Sequence, residues 1–139
     1  MLARKLLAIA GLTLALSTLG SAVAFAAKPG ETSSSSISLV LLSGASPTTL
    51  TNPTYGDLVT FNVTTAATAY PYVNLNCYQN GVLVAEGWAG FFDGALGDRT
   101  FALYSPQWTA GAADCTAYLA MTWHGKWKHL AWTSFHVDP

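Results

Sequence analysis

Three histidines, His124, His129 and His136, fall close together near the C-terminus, with Ser134, Asp114 and Asp138 nearby in sequence. These are the residue types of a hydrolytic triad. Such a triad needs a nucleophile on a strained turn, a base oriented by a buried acid, and an oxyanion hole. No Gly-x-Ser-x-Gly elbow is present. Period-two alternation puts Ser134 in mid-strand facing inward, His129 facing outward and His124 in a turn, so these read as ordinary strand and turn residues. Glycoside hydrolysis needs two acids facing each other across a cleft, and Glu31 and Glu86 are the only glutamates. Asp93 and Asp98 flank glycines and could hold Ca²⁺ together with backbone carbonyls, but they lack the Asp-x-Asp-x-Asp spacing of a calcium loop. Cys77 and Cys115 are too far apart, and too far from a histidine pair, for any zinc pattern. The expectation is a non-catalytic chain with no metal and no cofactor.

The aromatic residues carry a sharper signal. Trp88, Trp108, Trp123, Trp127 and Trp132 are many for a chain of this size. The Trp123-His124-Gly125-Lys126-Trp127-Lys128 segment places two of them at a hairpin tip, with lysines on either side of Trp127. Alternation puts Tyr118 and Trp127 on the face opposite Leu119 and Trp132. Exposed flat rings stack on sugars or anchor a protein partner, whereas rings crossed by lysine stems merely cover the end of a small domain. Tyr118, Trp123, Lys126 and Trp127 are therefore the candidate binding residues, with an unknown protein or glycan as partner. Coplanar exposed tryptophans would favour carbohydrate. A contiguous apolar patch or open strand edge would favour protein, and a deep pocket of convergent polar groups would favour an enzyme or enzyme inhibitor.

The elements that must position these residues follow a leader. Arg4 and Lys5, the apolar run Leu6 to Leu19 and Ala24-Phe25-Ala26 read as a signal peptide over residues 1–26. The apolar run is short for a membrane span, and no second one follows, so the expected location is secreted. Residues 27–36 read as a flexible lead-in, rich in serine. Residues 37–139 form one domain. Beyond the leader the chain has seven acids and four bases, a balance of about −3. That excludes general electrostatic attraction to nucleic acid. Two cysteines in an exported chain imply one Cys77–Cys115 disulfide, closing a loop of about forty residues worth about 4 kcal/mol.

Ile37 to Leu42 reads as the first strand and Gly56 to Thr64 as the second, with Val59, Phe61 and Val63 inward. Asn62-Val63-Thr64 fits a glycosylation sequon. Val73 to Trp88 reads as a hairpin turning at Asn80-Gly81, a type I′ signal. A plain two-residue loop sets Cys77 opposite Val84 and Val73 opposite Trp88, as core pairs. It also aims Glu86 inward, a conflict best relieved by a bulge near Gly87. Gly90 to Arg99 is a loop, Thr100 to Tyr104 a short strand, and Ala113 to His136 a second hairpin turning at His124-Gly125. Cys115, Ala117, Leu119 and Met121 face inward there, with Trp132 set against Ala117. Phe135 and Val137 then point the wrong way, which a bulge late in the last strand would cure. The two hairpins are expected in one sheet, joined by the disulfide. Seven short strands with regular turns mean an all-β sandwich.

Gly56-Asp57-Leu58-Val59-Thr60-Phe61-Asn62-Val63 resembles the second strand of bacterial immunoglobulin-like domains, and Asp114-Cys115-Thr116-Ala117 is similar to their penultimate strand. The likeness spans Ser36 to Val137. It implies an immunoglobulin-like sandwich, of the kind found in small exported bacterial proteins with no assigned activity. The chain departs from antibody-type domains in carrying Cys77 on the third strand and Ala113 where a corner tyrosine would stand.

Overall fold

The computed structural model describes residues 34–42 and 52–139. The expected leader, most of the lead-in and the first part of the connection after the first strand lie outside the described residues.

Seven strands form two antiparallel sheets: β1 (Ser36–Leu41), β2 (Leu58–Thr64), β3 (Tyr72–Gln79), β4 (Val82–Gly90), β5 (Phe101–Ala102), β6 (Ala113–Trp123) and β7 (Lys126–Val137). One sheet has the order β1-β2-β5 and the other β4-β3-β6-β7. No described residue is helical, so no described helix is long and apolar enough to cross a membrane.

Alternation in β2 puts Val59 and Phe61 inward, and both are buried. Across from them lie Val73, Leu75 and Cys77 of β3 and Cys115, Ala117 and Leu119 of β6, all buried in the same core. The two sheets meet through rings. Phe61 stands edge-on to Phe101 at 5.5 Å and touches Phe135 of the opposite sheet at 6.4 Å. Trp108 closes one end of the core. It is 2 % exposed, its Nε1 donates to the Gly111 carbonyl at 3.0 Å, and Tyr55 stands edge-on to it.

The two hairpins share one sheet, as expected. Cys77 and Cys115 are directly opposed on β3 and β6 and form the disulfide, with 4.1 Å between their Cα atoms. The bond therefore ties neighbouring strands within a sheet. Asn80 and Gly81 take φ of 49° and 78°, which is the positive pair a type I′ turn demands.

Two bulges change the expected registers, and both lie elsewhere than the sequence suggests. In the first hairpin Tyr78 pairs with Leu83, but Cys77 pairs with Ala85, so Val84 is the extra residue. Its carbonyl accepts a hydrogen bond from the Ser105 hydroxyl. The shift sets Val73 opposite Ala89 and Asn74 opposite Trp88. Glu86 is thereby turned outward, the conflict relieved three residues earlier than Gly87. The expected Val73–Trp88 and Cys77–Val84 core pairs do not form, and Trp88 is 43 % exposed. Gly87 faces the core instead, where a Cβ would come within 2.9 Å of the Phe101 ring.

In the second hairpin Leu119 pairs with Ala131 and Ala120 with His129, which makes Leu130 the extra residue. Beyond it Ala131, Thr133, Phe135 and Val137 face inward, and Val137 is fully buried. Trp132 therefore turns outward opposite Tyr118, 66 % exposed, rather than filling the core against Ala117. Ser134 turns outward as well and bonds the Thr116 hydroxyl at 2.8 Å.

Candidate functional site

Both bulges deliver large side chains to the same place, the outer face of the four-stranded sheet. The register lays this face out in rows across the strands. Trp88, Asn74, Tyr118 and Trp132 make one row, and Gly90, Tyr72, Ala120 and His129 make the next toward the hairpin tip. On the other side lie Glu86, Asn76, Thr116 and Ser134, followed by Tyr78, Asp114 and His136. One half of the face is thus aromatic and the other polar.

The aromatic half is continuous. Tyr70 stands edge-on to Phe92 at 5.2 Å, Phe92 to Tyr72 at 5.4 Å, and Tyr72 to Trp127 at 5.4 Å. Trp127 and Trp88 meet at 4.6 Å with 35° between their planes. Their strands are the two edges of the sheet, about 14 Å apart at the usual strand spacing. The indoles must therefore lean inward over β3 and β6. Beneath this cover Ala120 has no exposure although it faces away from the core. Tyr118 stacks on His129 at 4.4 Å. Beside Trp88 and Tyr72, the loop after β4 walls a cleft of about 370 Å³ whose lining includes Phe92, Ala95 and Leu96.

The polar half is wired to the aromatic half. Trp88 Nε1 donates to Glu86 Oε1 at 3.2 Å, and Asn74 Nδ2 reaches the same oxygen at 3.4 Å and the Gly87 carbonyl at 3.2 Å. Asn76 Nδ2 donates to Asn74 Oδ1 at 2.8 Å. Asn74 is only 5 % exposed, which is why it needs these partners.

Of the expected binding residues, Tyr118 and Trp127 lie on this face. Trp123 and Lys126 do not join them, because they pair with each other across the turn on the opposite side of the hairpin. Trp123 is exposed there, edge-on to His124. Trp88, Trp132 and Tyr72 are the members of the face that the sequence pattern did not assign to it, whereas alternation along β3 already turned Asn74 outward. The unresolved positions of Glu86 and Phe135 in the simple registers were the available signal. A bulge early enough to turn Glu86 outward also turns Trp88 outward, and one that precedes Trp132, as Leu130 does, turns Phe135 inward and exposes Trp132.

The residues with hydrolytic potential do not converge. His129 and His136 are seven residues apart on one strand, about 23 Å. His136 Nδ1 lies 2.8 Å from Asp114 and its Nε2 3.6 Å from Asp138, while Ser134 is engaged by Thr116. Asp98 accepts from the Thr100 amide at 3.1 Å, and Asp93 sits 3.8 Å from the Arg99 guanidinium. Among the described residues no group of three or more His, Cys, Asp or Glu is placed to hold a metal ion.

Comparison with protein-family models, with curated proteins and with solved structures finds no match to this chain. The functional reading therefore rests on the geometry of this face.

Proposed function

We propose that this is an exported, non-catalytic binding domain, immunoglobulin-like in fold and bacterial in type, that engages its ligand through the aromatic half of the four-stranded sheet's outer face. One observation carries the reading: a continuous run of rings lies in water on a rigid sheet instead of in the core. Tyr70, Trp88 and Trp127 of that run are 64, 43 and 49 % exposed. At about 200 Å² per ring this leaves roughly 300 Å² of aromatic surface wet, within the size range in which patches on monomers are often functional. A small domain with few charges gains nothing in solubility from such a surface, so its upkeep points to recognition. The rings are held by one another and by strands on both sides of the disulfide, so little side-chain freedom is lost on binding.

Export supports the same reading, since the leader and the disulfide both suit an oxidising compartment. The test is co-sedimentation of the mature protein with cell-envelope material, run beside a Trp88→Ala/Trp127→Ala double variant and Trp123→Ala. Loss of retention in the double variant alone supports the proposal. Equal retention of all three proteins, each shown folded by circular dichroism, would place binding elsewhere.

A further inference from the structure

The ligand class of this face follows from two features, ring orientation and the polar row beside the rings. Resting on the reading of the outer face as the binding surface, we infer that it takes a single chain of neutral polysaccharide, one sugar seated in the Trp88–Tyr72–Phe92 cleft, and not the flat surface of a crystalline polymer.

A pyranose ring has an apolar face of C–H bonds and a rim of hydroxyls. It therefore needs an aromatic surface with hydrogen-bonding groups alongside, both within one sugar's reach. Successive rows on a sheet face are two residues apart, roughly 7 Å. The row containing Trp88 stands one such step from the row of Glu86, Asn76, Thr116 and Ser134. The internal bonds of that row use Glu86 Oε1 and the Asn76 amide nitrogen. Glu86 Oε2 and Asn76 Oδ1 have no partner among the described residues and remain available as acceptors. A purely apolar partner would leave these groups dehydrated and unpaired, at a cost.

Charge points to a neutral ligand. Among the strand residues of the aromatic half the ionisable side chain besides tyrosine is His129, stacked on Tyr118, and Glu86 in the neighbouring polar row is already bonded to Trp88 and Asn74. Lys126 and Lys128 alternate onto the other side of the hairpin from Trp127. The face thus offers neither a basic cluster for an acidic polymer nor an acidic cluster for a basic one.

Ring orientation separates a single chain from a lattice. A crystalline surface is flat and is met by coplanar rings. The coplanar tryptophans expected of a carbohydrate site are absent: Trp88 and Trp127 are tilted by 35°, and Tyr72 stands at 75° to Trp127 and 70° to Phe92. These planes cannot all lie on one flat surface. Among glycans a flat lattice is therefore excluded, and a single chain is what the rings still fit. The adjoining cleft of about 370 Å³ is at the small end of ligand sites, a size for a sugar rather than for a large side-chain cluster.

The experiment is isothermal titration and affinity electrophoresis with hydroxyethylcellulose, galactomannan, arabinoxylan and soluble chitin oligosaccharides, beside sedimentation with crystalline cellulose and chitin powders. Binding to at least one soluble glycan and not to the powders is expected. Trp88→Ala and Trp127→Ala should each weaken it about tenfold or more. Trp127→Tyr should recover most of the loss, and Trp123→Ala should leave affinity unchanged. Retention on powders alone overturns the inference, as does soluble binding that survives both alanine variants. A photo-reactive phenylalanine analogue at position 132 separates the remaining failures. If no glycan binds but this probe cross-links an envelope protein, the glycan inference falls and the binding face stands. If neither occurs, both fall.

Discussion

Removing the disulfide should cost the domain a large part of its stability. Cys77 and Cys115 are separated by 38 residues in sequence and are 0 and 1 % exposed on neighbouring strands of one sheet. On the chain-entropy description, closing a loop of that length lowers the freedom of the unfolded chain by about 4 kcal/mol at room temperature. Marginal domains have about 5–15 kcal/mol in all. The informative variant is Cys77→Ala/Cys115→Ala, because serine would bury a hydroxyl and a single change would leave a reactive thiol. Urea unfolding followed by tryptophan fluorescence should show the midpoint falling by about 2–4 M, for a slope of about 1–2 kcal/mol per M. Thiol titration of the unfolded wild type should find no free thiol. A loss below about 1 kcal/mol, or two titratable thiols, would refute the loop-closure reasoning.

Three further substitutions probe the packing. Trp108→Ala empties the end of the core and orphans the Gly111 carbonyl, and should destabilise by about 3–5 kcal/mol in the same urea assay. Gly87→Ala forces a Cβ to 2.9 Å from the buried Phe101 ring, so a loss of about 1–3 kcal/mol is expected by thermal or urea unfolding. Trp132→Ser, by contrast, should change stability by no more than about 0.5 kcal/mol, because the Leu130 bulge leaves that indole 66 % exposed. A large loss there would mean that Trp132 is in the core and the bulge is misplaced.

The fold was legible in the sequence where local chemistry is strict. Asn80-Gly81 demanded a particular turn, alternation in Val59-Thr60-Phe61-Asn62 announced a half-wet strand, and the two cysteines found each other. The face was only half legible, since its layout depends on Val84 and Leu130, two residues with nothing unusual in their type. A bulge is chosen by the sum of packing on both faces, here by the gain of burying Ala89, Phe135 and Val137 and of hydrating Glu86. Alternation alone therefore kept Trp88 and Trp132 inside, and adjacency in sequence grouped Trp123 and Lys126 with Trp127 although the turn sets them on opposite sides. Trp127 was placed on the right face because it lies between the turn and the bulge, where the simple register still holds, and Tyr118 because the extra residue is on β7 and leaves the alternation of β6 unbroken.

The most direct test of the binding face is to follow the five indole N–H resonances by ¹⁵N NMR during addition of solubilised cell-envelope material. The signals of Trp88, Trp127 and Trp132 should shift or broaden together, while those of the buried Trp108 and of Trp123 on the far side of the hairpin stay in place. Movement confined to Trp123, or retention of the material with all three face signals unmoved, would contradict binding at this face.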